Sequence, residues 1–160
     1  MPRTPPPPTP HRLGQGDWLD AAFAAVVEGG FDQARVLSLS KRLGVTRGSF
    51  YWHFASHADL IEALWARWYA RELAVAQQLR SHTTDRPKDD LMHLVQVALA
   101  HAGEDLQNMR FELALRDLGR HDAKVAQQLA QVDQMRLSLF EEKFLRLTAN
   151  PKTAADLAGL

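Results

Sequence analysis

Apolar residues recur every three or four positions along most of this chain, and no run alternates in the way a strand requires. Trp18, Ala21, Ala22, Ala25 and Val26 make the first stripe, with Asp17 where an N-cap belongs and Gly29-Gly30 as its end. Val36, Leu39 and Leu43 mark a short second helix, closed by Gly44. Thr46 can cap a third helix from Arg47 to His53, in which Phe50 and Phe54 face inward. Ser56 and Asp59 have the spacing of a capping box, opening a long fourth helix over 56–80 that carries Leu60, Ile61, Leu64, Trp65, Trp68, Leu73 and Val75. Beyond a loop at 81–87 the pattern predicts helices at 88–102, 104–118 and 122–147, separated by Gly103 and by Gly119-Arg120-His121. Asn150-Pro151 breaks the periodicity, and a short segment at 153–157 follows. The expected fold class is all-α, with no internal repeat.

Composition refines this picture. Hydrophobic residues at 46% and charged residues at 24% suit an ordinary globular chain, and 160 residues suffice for a small headpiece continuous with a second helical layer. Six of the eight prolines fall in residues 1–10, so 1–11 reads as a flexible arm; its Arg3 and His11, with Arg12, suit either backbone contact with DNA or a plain disordered terminus. The expected division is a headpiece at 12–55 and a helical regulatory domain at 56–160, joined by the fourth helix. No apolar run reaches the roughly 18 residues of a membrane span and no signal peptide is visible, so a cytoplasmic location without a membrane partner is expected. Zero cysteines remove disulfides, thiolate zinc sites and a cysteine nucleophile.

Nineteen basic residues balance nineteen acidic ones, yet from Gln33 to His57 the chain holds Arg35, Lys41, Arg42 and Arg47 with no Asp or Glu. A solvated basic face is the ordinary explanation of so modest a run, and the surrounding motif decides. A helix-turn-helix needs a small residue where its helices cross, a glycine turn, apolar residues locking both helices onto a third, and a polar exposed face on the second. Ser40 supplies the first and Gly44 the turn; Leu39, Leu43, Val45 and Phe50 supply the lock, and Thr46, Arg47, Ser49, Tyr51, Trp52 and His53 the exposed set. An ordinary αα-hairpin shares the glycine, but so short and aromatic a second helix suits insertion into a major groove better.

The run Gly44-Val45-Thr46-Arg47-Gly48-Ser49-Phe50-Tyr51-Trp52-His53-Phe54, with Ala21-Ala22, Gly30-Phe31 and Ser56-x-x-x-Leu60 in order, resembles the N-terminal domain of the TetR family of bacterial transcriptional regulators. The resemblance covers about residues 12–70. It implies that Thr46 contacts backbone at the start of the recognition helix, that Arg47 meets a base edge or phosphate, and that Gly48 permits close approach. It further implies that Ser49, Tyr51, Trp52 and His53 lie on the DNA side, with Tyr51 and His53 toward phosphate and Trp52 toward sugar or a thymine methyl. Arg35 stands where the family usually has a capping Ser or Thr, and His57 where it usually has Lys. Arg35 would exchange a capping contact for a charge contact; His57 is either a plain hydrogen-bonding residue or a weaker cation that makes binding pH-sensitive.

The resemblance also implies a ligand-responsive repressor, released from a double-stranded palindromic operator when a small-molecule effector shifts the fourth helix, and acting as a homodimer. Trp65, Trp68, Tyr69, Met92, Val95, Leu99, Met109, Phe111 and Leu115 are the candidate effector pocket, although any helical core would contain such residues. Of the two long helices that commonly build the dimer of such regulators, residues 153–160 are expected to supply only the start of the first. Either pairing passes to the seventh helix through Val125, Leu129, Val132, Leu139, Phe140 and Phe144, or the chain is an interaction module or truncated regulator without a stable dimer. No cofactor is expected. His93 with His101, and His53 with His57, lack metal-ligand geometry, and the chain holds no nucleophile elbow, P-loop, dinucleotide glycine run or HExxH, so no catalytic or metal residue is nominated.

Overall fold

The computed structural model describes residues 13–104 and 106–160, apart from the side chains of 101–104. The Pro-rich arm with Arg3, His11 and Arg12 lies outside the described residues, as does the His101 half of the His93–His101 pairing. Eight α-helices and no strand occur among the described residues: α1 Gln15–Gly29, α2 Val36–Leu43, α3 Arg47–Phe50, α4 His57–Ser81, α5 Pro87–Glu104, α6 Leu106–Gly119, α7 Ala123–Thr148 and α8 Pro151–Ala158. The all-α expectation holds.

Local differences have local causes. Asp17 is not the N-cap of α1: the helix starts at Gln15 and the Asp17 carboxylate, one turn in, accepts the Gly14 amide at 2.7 Å. A 3-10 turn at Phe31–Gln33 links α1 to α2. The third helix stops at Phe50, and Tyr51–His53 continue as turns in which the His53 and Phe54 amides both donate to the Phe50 carbonyl. Gly103 lies inside α5, whose last residue is Glu104. Asn150 and Pro151 do more than break the pattern: the Asn150 side chain caps the Lys152 and Thr153 amides, and Pro151 opens α8, where its missing N–H costs nothing.

The core runs through both halves of the chain. Trp18, Leu39, Phe50 and Phe54 of the headpiece join Leu60, Leu64 and Trp68 of α4, Phe111 and Leu115 of α6, and Val125, Leu129 and Val132 of α7 in one cluster. Phe111 is fully buried within it, stacked on Phe23 at 4.9 Å and tilted against Phe31 at 5.8 Å between ring centroids. A second cluster at the far end joins Ala76 and Leu79 of α4, Leu94 of α5 and Leu139 of α7. Val125, Leu129, Val132 and Leu139 are buried in the chain's own core, which takes them from the alternative in which they pair copies of the chain; Phe140 and Phe144 are half-buried.

The loop between α4 and α5 is pinned to α7. Lys143, buried, donates to the His82 carbonyl at 2.8 Å and the Thr83 hydroxyl at 3.3 Å. Asp90, also buried, accepts the Thr84 amide at 2.9 Å and bonds Arg146. Paired and hydrogen-bonded charges of this kind are tolerated inside; isolated ones are not.

Candidate nucleic-acid interface and body cavity

The α2–α3 unit is set by two residues that no larger side chain could replace easily. Ser40 is buried where α2 crosses its neighbours, its hydroxyl donating to the Val36 carbonyl at 2.7 Å. Gly44 ends α2 at φ 68°, a left-handed conformation that side chains resist, and its amide closes onto the Ser40 and Lys41 carbonyls. The chain then turns so that α3 rests on α1 through Phe50, which meets Trp18 edge-on at 5.3 Å and stacks on Phe54 at 5.3 Å. Anchoring one face by Phe50 leaves the opposite face outside. Tyr51 is 54% and Trp52 87% exposed, and Thr46, Arg47 and Gly48 are exposed beside them, with Ser49 and His53 half-buried.

Thr46 occupies the N-cap of α3, but its side chain makes no capping bond, so its hydroxyl stays available outside. At Gly48 an added Cβ would meet nothing closer than the Thr46 hydroxyl at 3.7 Å, so no packing inside the chain requires glycine here. The cations divide into two kinds. Arg42 is clamped to Glu28 by bonds of 2.7 and 2.6 Å, and Arg35 meets Asp32 at 2.9 Å, acidic partners that lie just before the acid-free stretch. That bidentate pair lowers the Glu28 carboxyl from its ordinary value and raises the Arg42 guanidinium. Lys41 and Arg47 have no carboxylate partner among the described residues. The Arg35–Asp32 pair is largely solvent-exposed, so water screens it and little holds Arg35 back from a phosphate. His57 sits at the first turn of α4 and its Nε2–H donates to the Ala34 carbonyl at 3.0 Å, tying α4 to the start of α2.

In the body, α4, α5, α6 and α7 enclose a cavity of about 300 Å³. Val75, Leu79, Leu94, Val97, Leu139 and Phe140 give it apolar walls, and Met109 and Ala98 lie at its α5–α6 side. One end is polar. Arg136 bridges two carboxylates, Glu72 at 2.8 Å and Glu112 at 2.8 and 2.9 Å, while Asn108 donates to Glu72 at 3.1 Å. Arg116 reaches Glu112 from behind at 2.7 Å and is shared with Asp133 at 2.7 Å. Burial pushes the Glu112 carboxyl up, but the bonds from Arg136 and Arg116 outweigh it and hold it below its ordinary value. Hydrogen bonds to Glu112 and Glu72 raise the Arg136 guanidinium, so the bridge stays fully charged.

A wider groove, about 1110 Å³, separates the headpiece end of α1 and the first turns of α4 from the α6–α7 corner, and the Lys124–Glu62 ion pair spans it.

Residues 19–64 match the family model described as bacterial regulatory proteins, tetR family, a span that contains the whole of this α2–α3 unit. That segment is of the tetR-family type. It is 26% identical over 129 residues to the HTH-type transcriptional regulator AcrR of Shigella flexneri; the match takes in 81% of this chain and spans 58% of that relative's length. The fold is similar to that of the transcriptional regulator SCO7518 from Streptomyces coelicolor A3(2), with a TM-score of 0.70, 16% identity, and coverage of 91% of this chain and 80% of the other. It is also similar to a transcriptional regulator from Aquifex aeolicus VF5, with a TM-score of 0.64, 16% identity, and coverage of 91% and 78%.

Thr46, Arg47, Gly48, Ser49, Tyr51, Trp52 and His53 come together on and around α3, while Arg35 is the N-cap residue of α2 and His57 the first residue of α4. The nine expected pocket residues do not converge. Only Met109 lines the body cavity; Trp65 lines the wider groove, and Tyr69 stacks on Trp65 with centroids 5.9 Å apart. Trp68, Phe111 and Leu115 are core. Met92 and Leu99 are 57% and 67% exposed, and Val95 is half-buried outside the cavity. The polar end of the cavity was missed, although a signal existed. Glu72 lies on the buried stripe Leu64, Trp68, Ala76, Leu79 of α4, Asn108 on Phe111 and Leu115 of α6, and Arg136 continues Val125, Leu129, Val132, Leu139 of α7. A polar residue on an apolar stripe on each of three neighbouring helices marks groups that must find one another. No group of three or more metal-ligating side chains occurs among the described residues, and no helix there is long and apolar enough to cross a membrane.

Proposed function

We propose that this chain is a DNA-binding transcriptional repressor of the bacterial cytoplasm, in which a headpiece at 12–55 reads a palindromic operator as one half of a homodimer and a body at 56–160 binds a small-molecule effector that releases the DNA. The observation that carries the reading is the outer face of α3. Trp52, a large aromatic side chain left 87% exposed beside Tyr51 and an Arg47 without a carboxylate partner among the described residues, is not part of the core, whereas it suits contact with sugar, base and phosphate in a groove. Arg47 is the residue for a base edge; Thr46, Tyr51, His53, His57 and Arg35 suit the phosphates on either side. The body supports the second half of the reading. Its cavity is bounded by α4, the helix whose first turn holds the headpiece through His57, so occupancy and headpiece position share one element.

Selection of bound fragments from a random duplex library tests this directly. The expected result is a sequence motif repeated with two-fold symmetry at a spacing near one helical turn, with binding that weakens steeply as salt rises. Recovery of unrelated sequences with equal affinity would defeat the reading.

A further inference from the structure

The body cavity has two chemically different ends, and that polarity, resting on the reading of the cavity as the effector site, specifies what enters it. Along α4 the lining residues run from Glu72 through Val75 and Ala76 to Leu79, about 10 Å of helix at 1.5 Å per residue. Around Leu79 stand Leu94, Leu139 and Phe140; around Glu72 stand Asn108, Glu112 and Arg136. Among the described residues, charge at the polar end does not balance: two carboxylates face a single guanidinium. Arg116, which also bonds Glu112, adds nothing net because Asp133 shares it. Glu72 is 7% exposed, and its two oxygens take one bond each from Asn108 and Arg136, where a carboxylate can accept about four.

An entering carboxylate or phosphate would meet a net negative charge, two carboxylates against one guanidinium, beside a buried Glu72 that water screens weakly. A wholly apolar molecule would strip the remaining water from carboxylate oxygens without replacing its hydrogen bonds. A cation carrying N–H donors meets both demands. We propose that the cavity takes a protonated amine on a slender apolar body, with its ammonium beside Glu72, on the acceptor positions that Asn108 and Arg136 leave open, and its hydrocarbon along Leu79, Leu94 and Leu139. The volume of about 300 Å³, at the low end of the roughly 300–1,000 Å³ of small-molecule pockets, admits a single ring and a short chain.

Three probes with one apolar body separate the possibilities: 4-phenylbutylamine, 4-phenylbutanol and 4-phenylbutyrate, titrated calorimetrically into the full chain at neutral pH. The amine is expected to bind at least about tenfold more tightly than the alcohol, with no saturable binding of the carboxylate. Glu72→Gln is expected to remove about tenfold of the amine's affinity and leave the alcohol's within about threefold; Val97→Phe, which fills the cavity, is expected to abolish both. Carboxylate binding as tight as the amine's, equal binding of all three, or binding of none overturns the proposal, and the wild-type series decides this even if a variant fails to fold. The same amine is then added to the complex with library-selected DNA. Binding without release leaves the ligand class standing and removes the effector reading, while absence of any selected DNA removes the regulator reading alone.

Discussion

Gly48 tests whether α3 faces DNA, because the fold and the interface make opposite demands on it. Glycine is about 1 kcal/mol worse than alanine inside a helix, and in a helix of one turn roughly half of that is recoverable. Nothing inside the chain opposes a methyl group: the nearest atom to the added Cβ is 3.7 Å away, an ordinary van der Waals contact. Gly48→Ala is therefore expected to leave stability unchanged or raise it by about 0.5 kcal/mol, a shift of about 1–2 °C in Tm for a chain of this size. The same methyl stands on the exposed side, between Arg47 and Ser49, where a backbone or base edge would have to approach. A tenfold loss of DNA affinity, about 1.4 kcal/mol, is expected. Urea unfolding and fluorescence anisotropy on a library-selected duplex measure the two effects on one preparation. Since affinity falls while stability does not, misfolding cannot imitate the result. Unchanged affinity would mean that the Gly48 side of α3 does not meet DNA, and a stability loss above about 1 kcal/mol would mean that the fold itself uses the glycine.

Arg47→Ala is expected to cost about 1–3 kcal/mol of specific binding and to flatten base preference at one position in a repeated selection, with no change in the urea midpoint because the side chain is exposed. Phe111→Ala removes a fully buried ring held between Phe23 and Phe31 and is expected to cost about 3–5 kcal/mol, read as a lowered urea midpoint at constant slope. Acid should unfold the body through Glu112 and Asp90, whose carboxyls are held below ordinary values of 4.5 and 3.8 by hydrogen bonds that outweigh burial, from Arg136 and Arg116 in the first case and from Thr84 and Arg146 in the second. A depressed carboxyl stabilises the fold above its unfolded value and loses that contribution as pH falls through its folded value, so the urea midpoint should be level from about pH 7 to 5 and drop below about 4.5. Glu112→Gln should shrink that drop; an identical acid profile would show that the Arg136 bridge is not what titrates.

The headpiece was legible in the sequence because its determinants are local. Gly44 must follow α2 immediately, Phe50 and Phe54 lie four apart, and the Ser56–Asp59 capping box closes within one turn, so spacing alone carried the geometry. Reading charge along the chain worked less well. The stretch from Gln33 to His57 holds four fixed cations without an acid, yet folding returns Glu28 to Arg42 across fourteen positions and Asp32 to Arg35 across three. Among the described residues, what faces outward without a carboxylate partner is therefore narrower than the run suggested: Arg47 and Lys41, with Arg35 in a solvent-screened pair beside them.

The body shows the limit of stripe reading more sharply. Apolar periodicity located α4, α6 and α7, but it cannot say whether a large apolar side chain fills the core or borders a void, because both lie on the inward face. Phe111 and Leu115 became the seam between headpiece and body, and Met92 and Leu99, chosen for their size, ended on the outside of α5. The residues that give the cavity its character break the stripes instead. Glu72 finds Asn108 across 36 positions and Arg136 across 64, and Arg136 finds Glu112 across 24. Any one of these polar groups buried alone would cost several kcal/mol. Three interruptions on helices that pack together thus offset one another, and their pairing follows from the sequence once the packing order of the helices is known.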